Sequence, residues 1–465
     1  MKHIFAALIS IVLGFSQVVW NTEVVDSSPG QIGLSISIAL ENDNLPHIAY
    51  TLNSDQNFVM YSFKNDTIWE KEVIDSSLFG GPYWGLPFYG LSLALNQDSD
   101  PRLSYYHYDS LNDRTEICFA SRDSLGWTHE VLDTIAGTIY SLQMYYTSLN
   151  LDTAGLPGIA YSYWNFIDST QVIKYLKYTG MGWDSLIVGD SCPQWNFGPS
   201  LSIDDQNQPH IAYYQNDTLK YVYYNNQTGS WNTLYCKYIV SPGERASLSL
   251  VLDSQDYARI AHSDNWWLTY SWWDGSTWHN DNIISIGFWG VAINLALDTL
   301  ENPHITYTVE FNFWLEYCCK NTSWHLYGPI DPDSSHTMLD HSLAVDGLSN
   351  PHVCYESGYL LYAKGTFTGV EETRTKIPRA RFALQVYPNP VQGVLNIKYA
   401  VYTQTETELS LYDVTGSRIN VLKHKNVVPG YYQENIDVSK LSNGIYFIML
   451  RQDNDKVTRK FLVVK

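Results

Sequence analysis

The chain has 465 residues, a formal charge of −20 at pH 7 and 15% aromatic side chains, enough for one large domain and a small one. Residues 382 to 465 hold ten Lys or Arg and seven Asp or Glu, so the remainder carries 18 basic against 41 acidic residues, or −23. A body this acidic repels phosphate backbones and anionic lipid surfaces, which argues against nucleic acid and membrane-surface partners.

Met1 to Ser16 place Lys2 and His3 before an apolar run from Ile4 to Leu13 and then Gly14-Phe15-Ser16. The run is short for a bilayer span and fits a cleaved secretory signal, residues 1–16. No later stretch approaches a membrane span, so the chain is expected not to be membrane-spanning.

From residue 17 to 365 one phrase returns seven times: a small-apolar-small-apolar strand, an acid or amide, a short turn, and Pro-His-Ile-Ala-Tyr or a relative of it. Its copies open at Ser37, Ser92, Ser148, Ser200, Ser249, Asn294 and Ser342, and the acid or amide is Glu41, Asn96, Asp152, Asp204, Asp253, Asp298 or Asp346. Each unit reads as four short strands, typified by Ser200–Ile203, His210–Tyr214, Leu219–Tyr224 and a fourth opening at Trp231. Repetition of a four-stranded unit at about 45 to 56 residues points to a β-propeller.

The fourth strand recurs as Trp69-Glu-Lys-Glu-Val-Ile-Asp75 and Trp127-Thr-His-Glu-Val-Leu-Asp133, yet the seventh unit lacks one after Tyr362. Trp20-Asn-Thr-Glu-Val-Val-Asp26, ahead of the first unit, is the missing copy. An orphan strand at one end and a gap for it at the other predict a ring whose last blade joins both ends. The expected fold is therefore all-β: a seven-bladed propeller closed by an N-terminal strand, followed by a small C-terminal β-sandwich.

A polar stretch, 366 to 381, reads as a linker. After it, from 382 to 465, come Tyr387-Pro388-Asn389-Pro390, Leu409-Ser-Leu-Tyr-Asp-Val-Thr-Gly416, Leu441-Ser-Asn-Gly444-Ile-Tyr446 and a basic Lys456 to Lys460 before the last strand. These are short alternating strands with Gly and Asn turns, enough for a small sandwich. Together they resemble the type A C-terminal sorting domain of type IX secretion cargo. The resemblance implies Sec export in a Gram-negative bacterium and passage through the type IX machinery as partner. It also implies a product that is secreted or held at the outer cell surface.

The six cysteines neither recur with the repeat nor stand at zinc spacing. Alternation is expected to put Cys318 and Cys319 on opposite faces of one strand. The repeated acid reads as turn chemistry, since an Asx side chain bonds the local backbone. His47, His210, His304 and His352, each just after the repeated proline, read as hydrogen-bonding residues that meet the neighbouring blade. Ser271-Trp-Trp-Asp-Gly-Ser-Thr-Trp278 is one residue out of step with an Asp box and is read as a turn. No nucleophile elbow, His-Glu-x-x-His or phosphate loop is present, so no catalytic residue, metal or cofactor is assigned.

In an up-and-down blade, the links between strands two and three and from strand four to the next blade leave at one face. That face collects aromatics that do not recur: Tyr83, Trp84, Trp164, Phe166, Trp195, Trp266, Trp267, Trp289, Phe313 and Trp314. They are the expected binding residues, since loops carry function on rigid scaffolds. The first functional expectation is a non-enzymatic module for an extracellular glycan or protein. The alternative is a polysaccharide-acting hydrolase or lyase with its site at the channel mouth, and a third is an architectural role in an extracellular layer.

Overall fold

The computed structural model describes residues 17–41, 44–54, 57–65, 67–77, 88–109, 111–136, 147–165, 170–192, 198–215, 218–238, 247–264, 266–286, 292–309, 314–331, 340–368, 384–387, 390–401, 405–427, 430–452 and 455–464. The segment read as a secretory signal lies outside them. The described residues form strands and turns with no helix, and seven four-stranded antiparallel sheets succeed one another along the chain. Six are continuous: blades 1 to 6 span 31–77, 88–136, 147–192, 200–238, 248–285 and 293–329. Blade 7 takes His341–Val345, Pro351–Glu356 and Leu360–Thr368 from the end of the repeat and Gln17–Asp26 as its outer strand. Glu23 pairs with Tyr362 and Val24 with Leu361, so the N-terminal strand closes the ring as its sequence predicted. The pairing extends to Gln17 opposite Thr368. The last propeller strand therefore runs three residues past 365, into what reads as linker, because its partner begins three residues before Trp20.

The ring is stitched at its inner edge by the small residues of the repeated phrase. Ser37 Oγ accepts from Leu93 N of the next blade at 3.0 Å, and Ser92, Ser148, Ser200 and Ser249 do the same for Leu149, Leu201, Leu250 and Leu295. Ser342 completes the circle by accepting from Ile38 N at 3.1 Å. A short hydroxyl reaches the neighbouring backbone where a longer side chain would wedge the strands apart, which accounts for the small positions in the pattern.

The outer half is stitched by aromatics. The third-strand ring of each blade meets, edge-on in every case, the fourth-strand Trp of the next: Tyr61–Trp127, Phe119–Trp183, Tyr175–Trp231, Tyr221–Trp278 and Tyr270–Trp324. Tyr317–Trp20 at 5.4 Å and Tyr362–Trp69 at 5.3 Å occupy the same seats at the closure. Such pairs contribute about 0.5–1.5 kcal/mol each beyond their buried area. Four indoles donate to an acid three residues beyond the preceding blade's Trp: Trp69 to Glu23, Trp127 to Glu72, Trp183 to Glu130 and Trp324 to Asp281. Leu234 stands at that position beside Trp278, whose buried Nε1 has no acceptor among the described residues.

Each outer strand carries a bulge, as between Val24 and Asp26 in blade 7 and opposite Val59 and Met60 in blade 1. A bulge twists an exposed edge away from further strand pairing.

The repeated acids are turn residues. Asp204 Oδ1 accepts from Gln206 N and Gln208 N at 3.0 and 2.6 Å, and the residue three beyond the acid has a left-handed φ of 60 to 75° in all seven copies. The histidines after the prolines differ from expectation, because their partners lie in their own blade. His352 Nε2 meets Asp346 at 3.2 Å and its Nδ1 meets Tyr362 Oη at 2.7 Å, and His47, His210 and His304 repeat the pattern with Glu41 and Tyr61, Asp204 and Tyr221, and Asp298 and Tyr317. Second and third strands pair directly, so an in-blade tyrosine is nearer than any neighbour. Cys318 and Cys319 do separate, one into the core between blades 5 and 6, the other into that between blades 6 and 7. Cys118, Cys236, Cys318, Cys319 and Cys354 are buried free thiols.

Residues 384–464 form a sandwich of a three-stranded sheet (Leu384–Tyr387, Val394–Val401, Gly430–Asp437) and a four-stranded sheet ordered Arg418–Val427, Thr405–Asp413, Gly444–Gln452, Asp455–Val463. Leu395, Ile397 and Tyr399 from one sheet bury against Leu409, Ile448, Leu450 and Phe461 of the other. The motif residues are structural parts of it. Gly416 takes φ 82° in the turn that Asp413 caps, Tyr446 stacks on Phe461 and donates to Ser442 O, and Lys456 and Lys460 are exposed on the last strand. Tyr387 ends a strand opposite Asn396 and Pro390 is exposed, while Pro388 and Asn389 lie outside the described residues.

Candidate functional site

The first strands of all seven blades surround a central cavity of about 370 Å³. Their N-terminal ends reach the face where the links between strands two and three emerge. At that end, two residues before the repeated Ser or Asn, the described side chains are small: Ser35, Gly90, Gly198, Ser247 and Ala292. Blade 7 departs from this with Asp340.

Asp340 is buried and its oxygens are committed. Oδ2 accepts from Ile36 N of blade 1 at 3.0 Å, Oδ1 accepts from His341 N at 2.9 Å, and Ser35 adds a side-chain bond. Burial, opposed by these bonds, pushes its carboxyl up to about 7. His341 beside it is buried and lowered to about 4, burial outweighing a bond to the Thr306 backbone. Among the described residues lining the cavity Asp340 is the one carboxylate; Thr147, Ser148, Ser247, Ser249 and Asn294 supply hydroxyl and amide groups.

The expected aromatic face is described in part. Trp266 lies in the blade 5 link, 45% exposed, and its carbonyl accepts from Ile286 N at 2.7 Å. Trp267 is half-buried and opens the third strand of that blade, rather than lying in the link. Trp314 of blade 6 is half-buried, its carbonyl accepting from Val309 N at 3.2 Å. These three side chains therefore stand on the same face of adjacent blades. In blades 4 to 6 Lys237 pairs with Asp264, and the fully buried Glu316 accepts from Tyr307 Oη at 3.0 Å. Trp164 belongs to the strand Pro157–Asn165, and its side chain is outside the description, as are Tyr83, Trp84, Phe166, Trp195, Trp289 and Phe313.

The near-Asp-box segment sits on the opposite face as a turn: Asp274 Oδ1 accepts from Ser276 N and Thr277 N at 2.8 and 2.7 Å. Asp340 and His341 were not singled out by the sequence reading, although the signal was present. They are the polar pair Asp-His in a register that holds a small residue followed by Ile, Leu or Pro in five other blades and Tyr146-Thr147 in blade 3.

Residues 385–465 match the family described as Secretion system C-terminal sorting domain. The tail marks the chain as type IX cargo, a secreted or cell-surface protein, and no helix among the described residues is long and apolar enough to cross a membrane. No curated protein matches the chain. Among solved structures, an α-L-arabinanase from Penicillium chrysogenum complexed with arabinobiose is 10% identical with a TM-score of 0.45, covering 74% of this chain and 97% of that one. The NanB sialidase from Streptococcus pneumoniae is 11% identical at 0.43, over 73% and 69%. AofleA from Arthrobotrys oligospora is 12% identical at 0.41, over 77% and 95%. None of these likenesses bears on activity; the architecture rests on the strand pairing.

Proposed function

We propose that the propeller is a non-enzymatic binding module, delivered outside the cell by its sorting tail, that captures a glycan on its aromatic loop face. The observation that carries this reading is the exposed Trp266, with Trp267 of its own blade and Trp314 of the next at the same face, where a hydroxyl-lined channel opens. Sugars present apolar C–H faces and hydroxyl edges, so indole faces and uncharged donors are suitable partners. The remaining aromatics of the same face, Tyr83, Trp84, Trp164, Phe166, Trp195, Trp289 and Phe313, would extend it.

Glycoside hydrolysis asks for two carboxyl groups about 5 to 10 Å apart across the scissile bond. Among the described residues lining the cavity Asp340 is the one acid, and its oxygens already hold two backbone amides, so the hydrolase reading is the weaker of the two. Glycan and protein arrays probed with the purified chain test the proposal. Trp266→Ala and Trp314→Ala are each expected to weaken glycan capture at least tenfold, about 1.4 kcal/mol, with unchanged melting. Capture of protein only, binding by both variants as tight as the parent's, or release of reducing ends from the bound polysaccharide would contradict it.

A further inference from the structure

The strongest unassigned cluster lies between blades 1 and 2, near the loop face. His107 and Glu116 are cross-strand partners, and Cys118 follows on the same side of the third strand. One donor atom from each lies within 4.8 Å of the others. We infer that His107 Nδ1, Glu116 Oε2 and Cys118 Sγ form a site for a borderline divalent cation such as Zn²⁺.

Three observations support it. The first is geometry: in a tetrahedral zinc site with bonds of about 2.0–2.3 Å, donors stand about 3.3–3.8 Å apart. This triad therefore needs only a small contraction. His107 Nδ1 and Glu116 Oε2 are already 3.1 Å apart, within a few tenths of an ångström of that spacing.

The second is orientation. Arg114 holds the other carboxylate oxygen, Oε1, at 2.7 Å and is itself held by Asp109 at 3.1 Å, which turns Oε2 toward the imidazole. Outer hydrogen bonds of this kind fix first ligands in metal sites. Tyr105 bonds the Cys118 thiol and donates to Asp75 at 2.7 Å, so a further carboxylate backs the site.

The third is charge, read against the repeat. In blade 3 the equivalent tyrosine, Tyr161, pairs across strands with Lys174, and Lys174 neutralises Asp133 at 2.7 Å. In blade 2 Tyr105 pairs instead with Cys118. Among the described residues no basic side chain pairs with Asp75 in its place. Asp75, Asp109 and Glu116 outnumber Arg114, which pairs with two of them, so the cluster carries an excess of carboxylates. A divalent cation offsets that excess. On binding, the Cys118 thiol proton leaves to solvent and the thiolate takes its place on the metal, with no change of oxidation state. Sequence spacing could not reveal this site, because its ligands come from two strands joined by a loop.

Spectroscopic titration of the full chain, freed of metal by chelator, decides the matter. Co²⁺ should bind at one equivalent with a near-ultraviolet thiolate-to-cobalt band and the intense visible bands of four-coordination, and Zn²⁺ should displace it. Cys118→Ser should abolish the near-ultraviolet band. His107→Ala, at a half-exposed position that leaves the core untouched, should weaken binding at least tenfold with the melting curve of the metal-free protein unchanged. Absence of a thiolate band in the parent chain would overturn the site. So would a band that survives Cys118→Ser, or an affinity that His107→Ala leaves alone.

Discussion

Removing Gln17–Asp26 from the exported chain is expected to abolish cooperative unfolding of the propeller, leaving the C-terminal sandwich folded. The strand supplies the outer pairing of Leu360–Thr368, so its loss leaves a row of backbone donors and acceptors without partners. It also removes Val18 and Trp20 from the core shared by blades 6 and 7, and Val25 from the core shared by blades 7 and 1. At about 1.5–3 kcal/mol for each such side chain, the loss falls in the range of a whole domain's folding free energy, about 5–15 kcal/mol. Polar ties go as well. Asp26 accepts from Tyr50 and Lys71, and Glu23 accepts from Lys64 and Trp69, so the strand is also what joins blade 7 to blade 1. Circular dichroism melting of the truncated chain checks this. A single sharp transition within a few degrees of the parent would show that the ring does not depend on the strand.

The second large effect is expected at Asp340, the acid that holds blade 7 to blade 1 at the channel. Burial raises its folded value to about 7 from an ordinary 3.8. A carboxyl raised on folding binds its proton more tightly in the folded state. Its contribution is therefore fully present below about pH 3.8 and is lost as pH rises through 7. The difference between 3.8 and about 7 corresponds to up to about 4 kcal/mol between these limits. Buried histidines oppose this trend in the parent chain. His262, His341 and His352 are lowered to about 4 by burial, with stability lost as pH falls below their ordinary 6.5. The clean comparison is thus parent against Asp340→Asn, which keeps an acceptor for Ile36 N without the charge. Asn should gain on the parent from pH 5 to about pH 7 in urea midpoints and level off by pH 8.5. A constant difference across that range would mean that Asp340 does not ionise in the folded protein.

Much of the architecture was legible because its signals are local and repeated. A Trp-led strand at 20–26 with no blade of its own, and Tyr362 with no Trp strand after it, could be matched by inspection. The turn acids were equally readable, since an Asx side chain bonds backbone two and four residues on, whatever surrounds it. Alternation alone separated Cys318 from Cys319. What stayed hidden depends on contacts between segments or on departures from the repeat. His352 reads as meeting a neighbouring blade because sequence does not show that Tyr362 reaches it diagonally from the adjacent strand of its own blade. Asp340 stands out only in its register with Ser35, Gly90 and Gly198. The His107–Glu116–Cys118 cluster exists only through cross-strand pairing. The aromatic face follows from strand direction, but its loops do not repeat, so the sequence assigns Trp266 and Trp314 a side of the ring and nothing finer.

Native-state amide hydrogen exchange of the exported chain, resolved by segment, puts the closure itself to the test. If the N-terminal segment is the seventh outer strand, the paired amides within 17–26 will be protected as strongly as those of Ser230–Tyr238, the outer strand of blade 4. Exchange of 17–26 at the rate of an unstructured chain, with the other outer strands still protected, would contradict a ring joined through both of its ends.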